Sequence, residues 1–353
     1  MSALPVDPLW PRAGDWPAPA SGQTPDAVLL GVPAWRTSLS PTGAGETPAA
    51  VRAALRRYSP TLMGPPPVDL TAALRIADAG DVDEPDGREG EARVRAAVDA
   101  LSDVPLLIAL GGDNSATYAV AQGRRARGLI TLDAHFDLRD GESNGSPVRR
   151  LVADGLDPRR VVQIGIADFA NSAVYARRAA DAGITVITLD EVRRRGIDAV
   201  TAEALRVAAG VHPAAASDRL PAESEHAAET VSASDGPPRA ASDPATDAER
   251  APASESGAAT DAQLGGIHPG GIHLDIDVDV CDRSVAPGCP ASVPGGLAAW
   301  ELRALVRGLA RDPGITSADI VEVDATADAA DARTVRLAAL CVLELLAGLA
   351  ERR

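Results

Sequence analysis

The sequence predicts an α/β domain with three layers, in which helices cover both faces of a mostly parallel sheet of about eight strands. Two observations predict this fold class. Several short runs of residues are almost wholly apolar, which is typical of strands that are buried on both faces. Helical patterns lie between most of these runs, and alternating strands and helices favour a parallel sheet. At 353 residues the chain is long enough to bury a sizeable core.

The elements follow in order along the chain. The expected strands are residues 27–32, 74–82, 104–110, 128–133, 161–166, 183–189, 272–278 and 318–323. The expected helices are residues 47–58, 92–101, 201–209, 298–310 and 331–350. The first helix has a clear start, because Thr47 can cap it and Pro48 suits its first turn.

Two segments break this pattern. Residues 1–25 are Pro-rich and predict an irregular N-terminal tail, so that residues 26–353 form a single domain. Residues 213–263 carry ten acidic residues against three arginines and otherwise consist largely of Ala, Ser, Pro and Thr. Too few of them could bury apolar surface, so this segment predicts a disordered insertion in a surface loop. A regulatory or partner-binding role for the segment is the alternative.

The composition excludes several functions. The formal net charge is −16, and every basic residue is an arginine. This charge disfavours binding to nucleic acid or to anionic membranes, which need clustered positive charge. The three cysteines form no disulfide framework, and no apolar run is long enough for a signal peptide or a membrane span. We therefore expect a cytoplasmic protein with no nucleic-acid and no membrane partner.

Three polar motifs lie at the carboxyl ends of expected strands. They are GGDNS (111–115), DAHFD (133–137) and DIDVDVCD (275–282). The carboxyl ends of parallel strands share one edge of the sheet, where the chemistry of α/β proteins is usually found. We therefore expect the three motifs to meet at that edge.

Two of these motifs place ionisable side chains at alternate positions, so that an extended chain points them to one side. The side chains are Asp133, His135 and Asp137 in one motif and Asp275, Asp277 and Asp279 in the other. Carboxylates that are crowded and partly buried repel one another, and a bound cation relieves that repulsion. The alternative for either motif by itself is an exposed acidic edge with a hydrogen-bonded histidine.

The types of donor atom indicate which metal the motifs would bind. Many carboxylate oxygens with one imidazole favour Mn²⁺, with Fe²⁺, Co²⁺ or Ni²⁺ as alternatives. The number of acids predicts two ions, since one dication would leave excess negative charge. Two close metals can activate water and polarise an electrophile.

The three motifs, in this order, resemble those of the ureohydrolase superfamily of arginases, agmatinases and formimidoylglutamases. The family pattern is GGDHS, then DAHxD, then D-x-D-x-x-D, and the last fits Asp277, Asp279 and Asp282. The resemblance extends from about residue 27 to the C-terminus and includes GAGETPAAVR (43–52). It implies an arginase-like fold, a homo-oligomer and a small substrate derived from an amino acid.

The resemblance also implies a set of metal ligands. These are Asn114, Asp133, His135, Asp137, Asp277 and Asp279, with Asp133 and Asp277 bridging two ions. Asn114 departs from the family, which has histidine at this position. An amide is a weaker ligand than imidazole, so we expect one ion to bind less tightly or to be absent. The alternative is a loop or helix-cap role for Asn114 without a metal contact.

The loop after DAHFD indicates the substrate. Its SNGSP stretch (143–147) resembles the loop of formimidoylglutamases more than those of arginases or agmatinases. Formimidoylglutamate carries two carboxylates, which arginines and hydroxyl groups bind well. The expected substrate-binding residues are Asn144, Ser146, Arg149 and Glu322, with Arg139 and Arg150 nearby. The alternative for each arginine is that it only solvates the start of a helix.

The implied reaction is the hydrolysis of N-formimidoyl-L-glutamate to L-glutamate and formamide, a step of histidine degradation. Glu322 would face the formimino cation, and Asp137 would pass a proton to the departing amine, because the loop lacks the shuttle histidine of arginases. Two alternatives stay open. The first is an agmatinase or another guanidino-acid ureohydrolase, and the second is a catalytically weak paralogue that binds metal.

Overall fold

The computed structural model describes residues 7–211 and 270–352. The predicted insertion at 213–263 lies outside the described residues, so its disorder stays a prediction. Within these ranges the strands are β1 (Ala27–Val32), β2 (Thr61–Leu62), β3 (Val68–Asp69), β4 (Ile76–Asp81), β5 (Leu106–Gly111), β6 (Gly128–Leu132), β7 (Val161–Ile166), β8 (Thr185–Thr188), β9 (Ile272–Asp277) and β10 (Ile315–Val321).

Helices separate most of these strands. They are α1 (Thr47–Leu55), α2 (Leu70–Ala73), α3 (Gly87–Asp99), α4 (Ser115–Gly123), α5 (Pro147–Ala153), α6 (Ala173–Ala182), α7 (Leu189–Arg195), α8 (Ile197–Ala208), α9 (Ala299–Ala310) and α10 (Arg333–Ala350). All of the helices expected from the sequence are present. Helix α3 begins at Gly87, five residues earlier than predicted, because its first turns are polar and carry no apolar signal.

Eight strands form one sheet in the order β4–β1–β5–β10–β9–β6–β7–β8. Every neighbouring pair in this sheet is parallel, while β2 and β3 pair separately as a short antiparallel ribbon. Helices cover both faces of the sheet. The predicted three-layer α/β/α fold is therefore confirmed, and each expected strand is found.

The strands are apolar because both faces of the sheet lie against helices. Alternate residues of β5 enter two separate cores, Ile108 and Leu110 on one face and Leu107 and Ala109 on the other. The first core is completed by α1, α8, α9 and α10. On the opposite face α3 and α4 cover β1 and β5, and α5 and α6 cover β6 and β7. Covering both faces explains why the strands read as continuous apolar runs.

The order of the strands determines where a site can form. The strands β1 and β4 lie on one side of β5, whereas β7 and β8 lie on the far side of β6. The late strands β9 and β10 fill the gap between β5 and β6. The carboxyl ends of four adjacent central strands are thus brought together where the strand order reverses, the usual position for ligands in open α/β sheets.

The N-terminal segment has no helix or strand between residues 7 and 25. It nevertheless contacts the domain, since Ala13 is fully buried and its N–H donates to the Tyr58 carbonyl at 3.0 Å. The Pro17 carbonyl likewise accepts from the Asp78 N–H at 2.9 Å. No helix within the described ranges is long and apolar enough to cross a membrane.

Candidate metal centre

A cavity of about 340 Å³ opens at the carboxyl ends of the central strands β6, β9 and β10. Its wall includes five of the ionisable residues that the sequence predicts for the site, namely His135, Asp137, Asp277, Asp279 and Glu322. The motifs after β6, β9 and β10 therefore meet at one place, as expected from a parallel sheet.

Three residues form the best-defined group of possible metal ligands at the cavity. One ligand atom each from Asp133, His135 and Asp279 lies within 4.8 Å of the other two. His135 Nδ1 is 2.7 Å from Asp279 Oδ2 and 3.6 Å from Asp133 Oδ1. Backbone N–H groups hold both carboxylates in place, from Ala134 to Asp279 at 2.9 Å and from His135 to Asp133 at 2.6 Å.

A second group surrounds Asn114, which stands directly before α4. Its Nδ2 donates to Asp137 Oδ2 at 2.6 Å and to Asp277 Oδ2 at 3.3 Å. Its Oδ1 accepts from the Thr117 hydroxyl at 2.6 Å, and its side chain makes no capping bond to the helix. Asn114 thus lies among the predicted ligands, with its amide nitrogen rather than its oxygen turned toward the carboxylates.

The electrostatics of the cavity show an excess of negative charge. Burial raises the pKa of Asp133 to about 7, and the charge of Asp279 adds to this effect. Burial and neighbouring carboxylates also raise the pKa values of Asp137 and Asp277 well above their ordinary value. Burial alone would lower the pKa of His135, but the charge of Asp279 and hydrogen bonds to both partner acids raise it to about 11. The cluster therefore requires protons or cations for neutralisation.

The residues present fit a divalent cation. Oδ2 of Asp133 is fully buried and accepts no hydrogen bond from the described residues. An unpaired buried carboxylate oxygen is costly, and a metal ion would satisfy it. Four carboxylates and one imidazole form a donor set that suits Mn²⁺ and similar ions.

Asp275 lies beneath these ligands rather than among them. It is on the same face of β9 as Asp277 but is fully buried, next to Asp319 on β10. Burial raises its pKa well above the ordinary value, and Asp319 adds to the shift. His273, which the sequence suggested to be structural, is buried and bonds Ser317 and Asp319 at 2.9 and 3.1 Å.

The two predicted catalytic residues both have strained backbones. Asp137 has a φ of +52° and Glu322 a φ of +61°, a left-handed conformation that is unfavourable for residues with side chains. Such strain costs about 1–3 kcal/mol per residue and is found most often at functional sites. In this structure both residues line the cavity.

Glu322 is held by two amide groups. Its Oε1 accepts from the Asn114 backbone N–H and from Asn144 Nδ2, each at 2.8 Å. Burial raises its pKa to about 8 and the charge of Asp113 adds to the shift, while the two hydrogen bonds lower it. Asn144 in turn accepts from the Leu39 backbone N–H at 3.0 Å, which connects the loop around residue 39 to Glu322.

The other predicted substrate-binding residues lie elsewhere. The Ser146 hydroxyl donates to the Ser143 carbonyl within its own loop, at 2.8 Å. The Arg149 guanidinium donates to the carbonyls of Arg139, at 2.6 Å, and of Gly141. Neither Ser146 nor Arg149 belongs to the described residues that line the cavity, so their contacts support a role in bracing the loop.

Sequence reasoning missed Asn171, which follows β7 and lines the cavity. Its Oδ1 accepts from the Phe136 N–H at 3.1 Å, and its Nδ2 donates to the Ala134 carbonyl at 2.8 Å. It therefore positions the backbone of the DAHFD motif. The signal that could have identified it is its place after a strand, the rule that located the other motifs.

A family model described as the arginase family matches residues 25–219 and 245–348. The chain belongs to the arginase family. The formimidoylglutamase of Bacillus subtilis is 30% identical over 91% of this chain and 86% of its own length. That of Halobacterium salinarum is 31% identical over 94% of this chain and 90% of its own.

Solved structures agree with this assignment. The match to the crystal structure of the B. subtilis formimidoylglutamase covers 99% of this chain and 94% of the chain in that structure, with 28% identity and a TM-score of 0.76. A Trypanosoma cruzi formiminoglutamase solved with Mn²⁺ shares the fold, with a TM-score of 0.73, 21% identity and coverage of 98% and 100%. The prediction of an enzyme is confirmed: the chain is a hydrolase that acts on the carbon–nitrogen bonds of linear amidines.

Proposed function

We propose that the protein hydrolyses N-formimidoyl-L-glutamate to L-glutamate and formamide, as a step of histidine degradation. The observation that carries the proposal is Glu322, a buried carboxylate in the wall of a cavity that lies beside a group of side chains able to hold a metal ion. A protonated formimino group matches the negative charge of this carboxylate. The similarity to two formimidoylglutamases over almost the whole chain supports the choice of substrate.

We further propose that Mn²⁺ is the metal and that two ions bind with unequal affinity. Asp133, His135 and Asp279 would hold one ion, while Asp137, Asp277 and Asn114 would hold a weaker one. By the family resemblance, Asp133 and Asp277 would help to hold both ions. When bound, the ions supply Lewis-acid chemistry, which polarises the substrate and makes water a stronger nucleophile at neutral pH.

The side chains of the cavity have separate roles in this reaction. Water adds to the formimino carbon, and the bond from that carbon to the glutamate nitrogen breaks. Glu322 would accept hydrogen bonds from the formimino nitrogens, in a position fixed by Asn144. Asp137 would pass a proton from the attacking water to the departing amine, because the loop after DAHFD contains no histidine that could do so.

A second candidate is a paralogue that binds metal but has little catalytic activity. The observation that favours it is the amide of Asn114, which donates to both Asp137 and Asp277. These hydrogen bonds occupy carboxylate oxygens that a second ion would need. A chain with one firmly bound ion and slow turnover would fit this alternative.

The test is a substrate panel on the purified protein after it has been loaded with Mn²⁺. We expect release of glutamate from N-formimidoyl-L-glutamate to be much faster than turnover of agmatine, 4-guanidinobutyrate or arginine. Metal analysis of the same preparation gives the number of ions per chain. Faster turnover of a guanidino compound would mean that this compound, and not N-formimidoyl-L-glutamate, is the substrate. No turnover of any amidine would favour the paralogue with little catalytic activity. A homo-oligomer and a cytoplasmic location remain predictions from the sequence.

A further inference from the structure

The charge of the cavity wall is unevenly distributed. Four carboxylates and His135 line it, and the amidine would react beside them. Arg139 is the one guanidinium among the described residues that line it. It follows Asp137 by two residues, a separation that spans at most ~7 Å of backbone. The cavity therefore carries a positive charge close to its reactive end, at an exposed position.

Arg139 differs from the other arginines around it. Arg149 donates to two backbone carbonyls, and Arg150 forms an ion pair with Glu91 at 2.6 Å. Arg178 donates to the Leu138 carbonyl at 2.6 Å and pairs with Asp140 at 3.0 Å. Within the described ranges, no hydrogen bond or ion pair to the Arg139 guanidinium is found. The neighbouring arginines stabilise the protein, whereas this one is available for a ligand.

Contacts within the loop determine the position of the Arg139 side chain. Its backbone N–H donates to the Gly145 carbonyl at 2.9 Å, which brings the two residues together. A Cβ added at Gly145 would lie 2.7 Å from Arg139 Cδ and 3.1 Å from its Nε. It would also lie 3.2 Å from a methyl group of Leu39. The absence of a side chain at Gly145 thus leaves the space that the arginine occupies.

We infer that Arg139 determines substrate specificity by binding a carboxylate on the tail of the amidine substrate. This inference rests on the proposed function and deepens it. A guanidinium can bind a carboxylate through two parallel hydrogen bonds, and such charge-assisted bonds are among the strongest in proteins. The same positive charge repels a cationic tail such as that of agmatine. The structure thereby assigns to Arg139 the role that the sequence gave to Arg149.

The test compares two substrates in Arg139→Gln and in the native protein. One is N-formimidoyl-L-glutamate, and the other is N-butylformamidine, which has no carboxylate. Because a hydrogen bond to a charged group is lost, KM for the first should rise about 10- to 100-fold. Its kcat should change little, and both constants for N-butylformamidine should remain unchanged. Gly145→Ala should act in the same direction, since the added methyl group displaces the arginine.

The matched control is Arg177→Gln, which removes an exposed arginine from α6 outside the cavity lining. Thermal unfolding checks that every variant folds. The inference would be overturned if Arg139→Gln lowered kcat/KM equally for both substrates. It would also be overturned if KM for N-formimidoyl-L-glutamate rose as much in the control as in Arg139→Gln. If the native protein prefers N-butylformamidine or agmatine to N-formimidoyl-L-glutamate, the proposed function itself fails. If it prefers formimidoylglutamate and Arg139→Gln leaves KM unchanged, only the role of Arg139 fails.

Discussion

Replacing Asn144 with alanine removes the side chain that holds Glu322 from the loop side. Its Nδ2 donates to Glu322 Oε1 at 2.8 Å. A hydrogen bond to a charged group contributes about 1.5–3 kcal/mol. Because Asn144 is only partly buried, we use about 1.5–2 kcal/mol, which corresponds to a loss of roughly 10- to 30-fold in kcat/KM.

The same substitution should move the pH profile of the reaction. The pKa of Glu322 is raised to about 8 by burial and by Asp113, and the bond from Asn144 lowers it. Without that bond the carboxyl is protonated more readily, so its pKa rises further. In the proposed reaction Glu322 acts in its ionised form, so the acidic limb of kcat/KM against pH should shift to higher pH.

The assay measures kcat/KM for N-formimidoyl-L-glutamate across pH in the Mn²⁺-loaded variant. Ser143→Ala is the control, since the Ser143 hydroxyl accepts from the Gly145 N–H at 3.3 Å and lies outside the described cavity lining. It should keep both the native rate and the native profile. A loss of rate in Asn144→Ala without a shift of the acidic limb would refute the electrostatic part of the reasoning. An equal loss in the control would refute the whole of it.

Two further predictions concern the metal. Asn114→His should strengthen the second site because imidazole is a better ligand than an amide; metal analysis after dialysis should show more ions per chain, and an unchanged ratio would contradict this. Metal-free protein should become less stable as the pH rises. Burial lowers the folded-state pKa of His135, but Asp279 raises it further, so that it moves from 6.5 to about 11. The protonated His135 therefore stabilises the folded protein fully below pH 6.5, and this stabilisation is lost as the pH rises toward 11. The raised pKa of Asp133 also makes the folded protein less stable as the pH rises, in this case between pH 3.8 and about 7. Thermal unfolding after chelation should show Tm falling over this range and Mn²⁺ removing the trend, whereas a flat profile would oppose the charge assignment.

The sequence predicts the sheet well because its signal is local. A strand buried on both faces must be apolar along its length, so β5 and β6 can be read directly from the residues. The helix α4 (Ser115–Gly123) was not predicted, since seven of its nine residues are buried and it lacks a polar face. A helix of small residues between a motif and a strand carries no amphipathic period.

The candidate site could be predicted only in part. Its motifs lie at strand ends, and the parallel sheet brings them to one edge. The sequence does not specify that β9 and β10 lie between β5 and β6, which is what brings Asp277 near Asp133. It also cannot distinguish Arg139 from Arg149, since both follow Asp137 closely. That distinction depends on which guanidinium the backbone carbonyls of the folded loop bind.

The residues at the carboxyl edge of the sheet destabilise the folded state, through strained backbones and buried charges. Asp137 and Glu322 have left-handed backbones, each at a cost of about 1–3 kcal/mol. Apolar residues of similar size would often stabilise the fold as well as buried charges do or better, so the acids are retained for chemistry. A cation that binds only the folded state returns part of the cost, about 2.7 kcal/mol at a concentration 100 times its Kd. If these carboxylates hold the metal as proposed, metal binding and folding are coupled through them, and a variant that loosens the metal should also lower the stability of the domain.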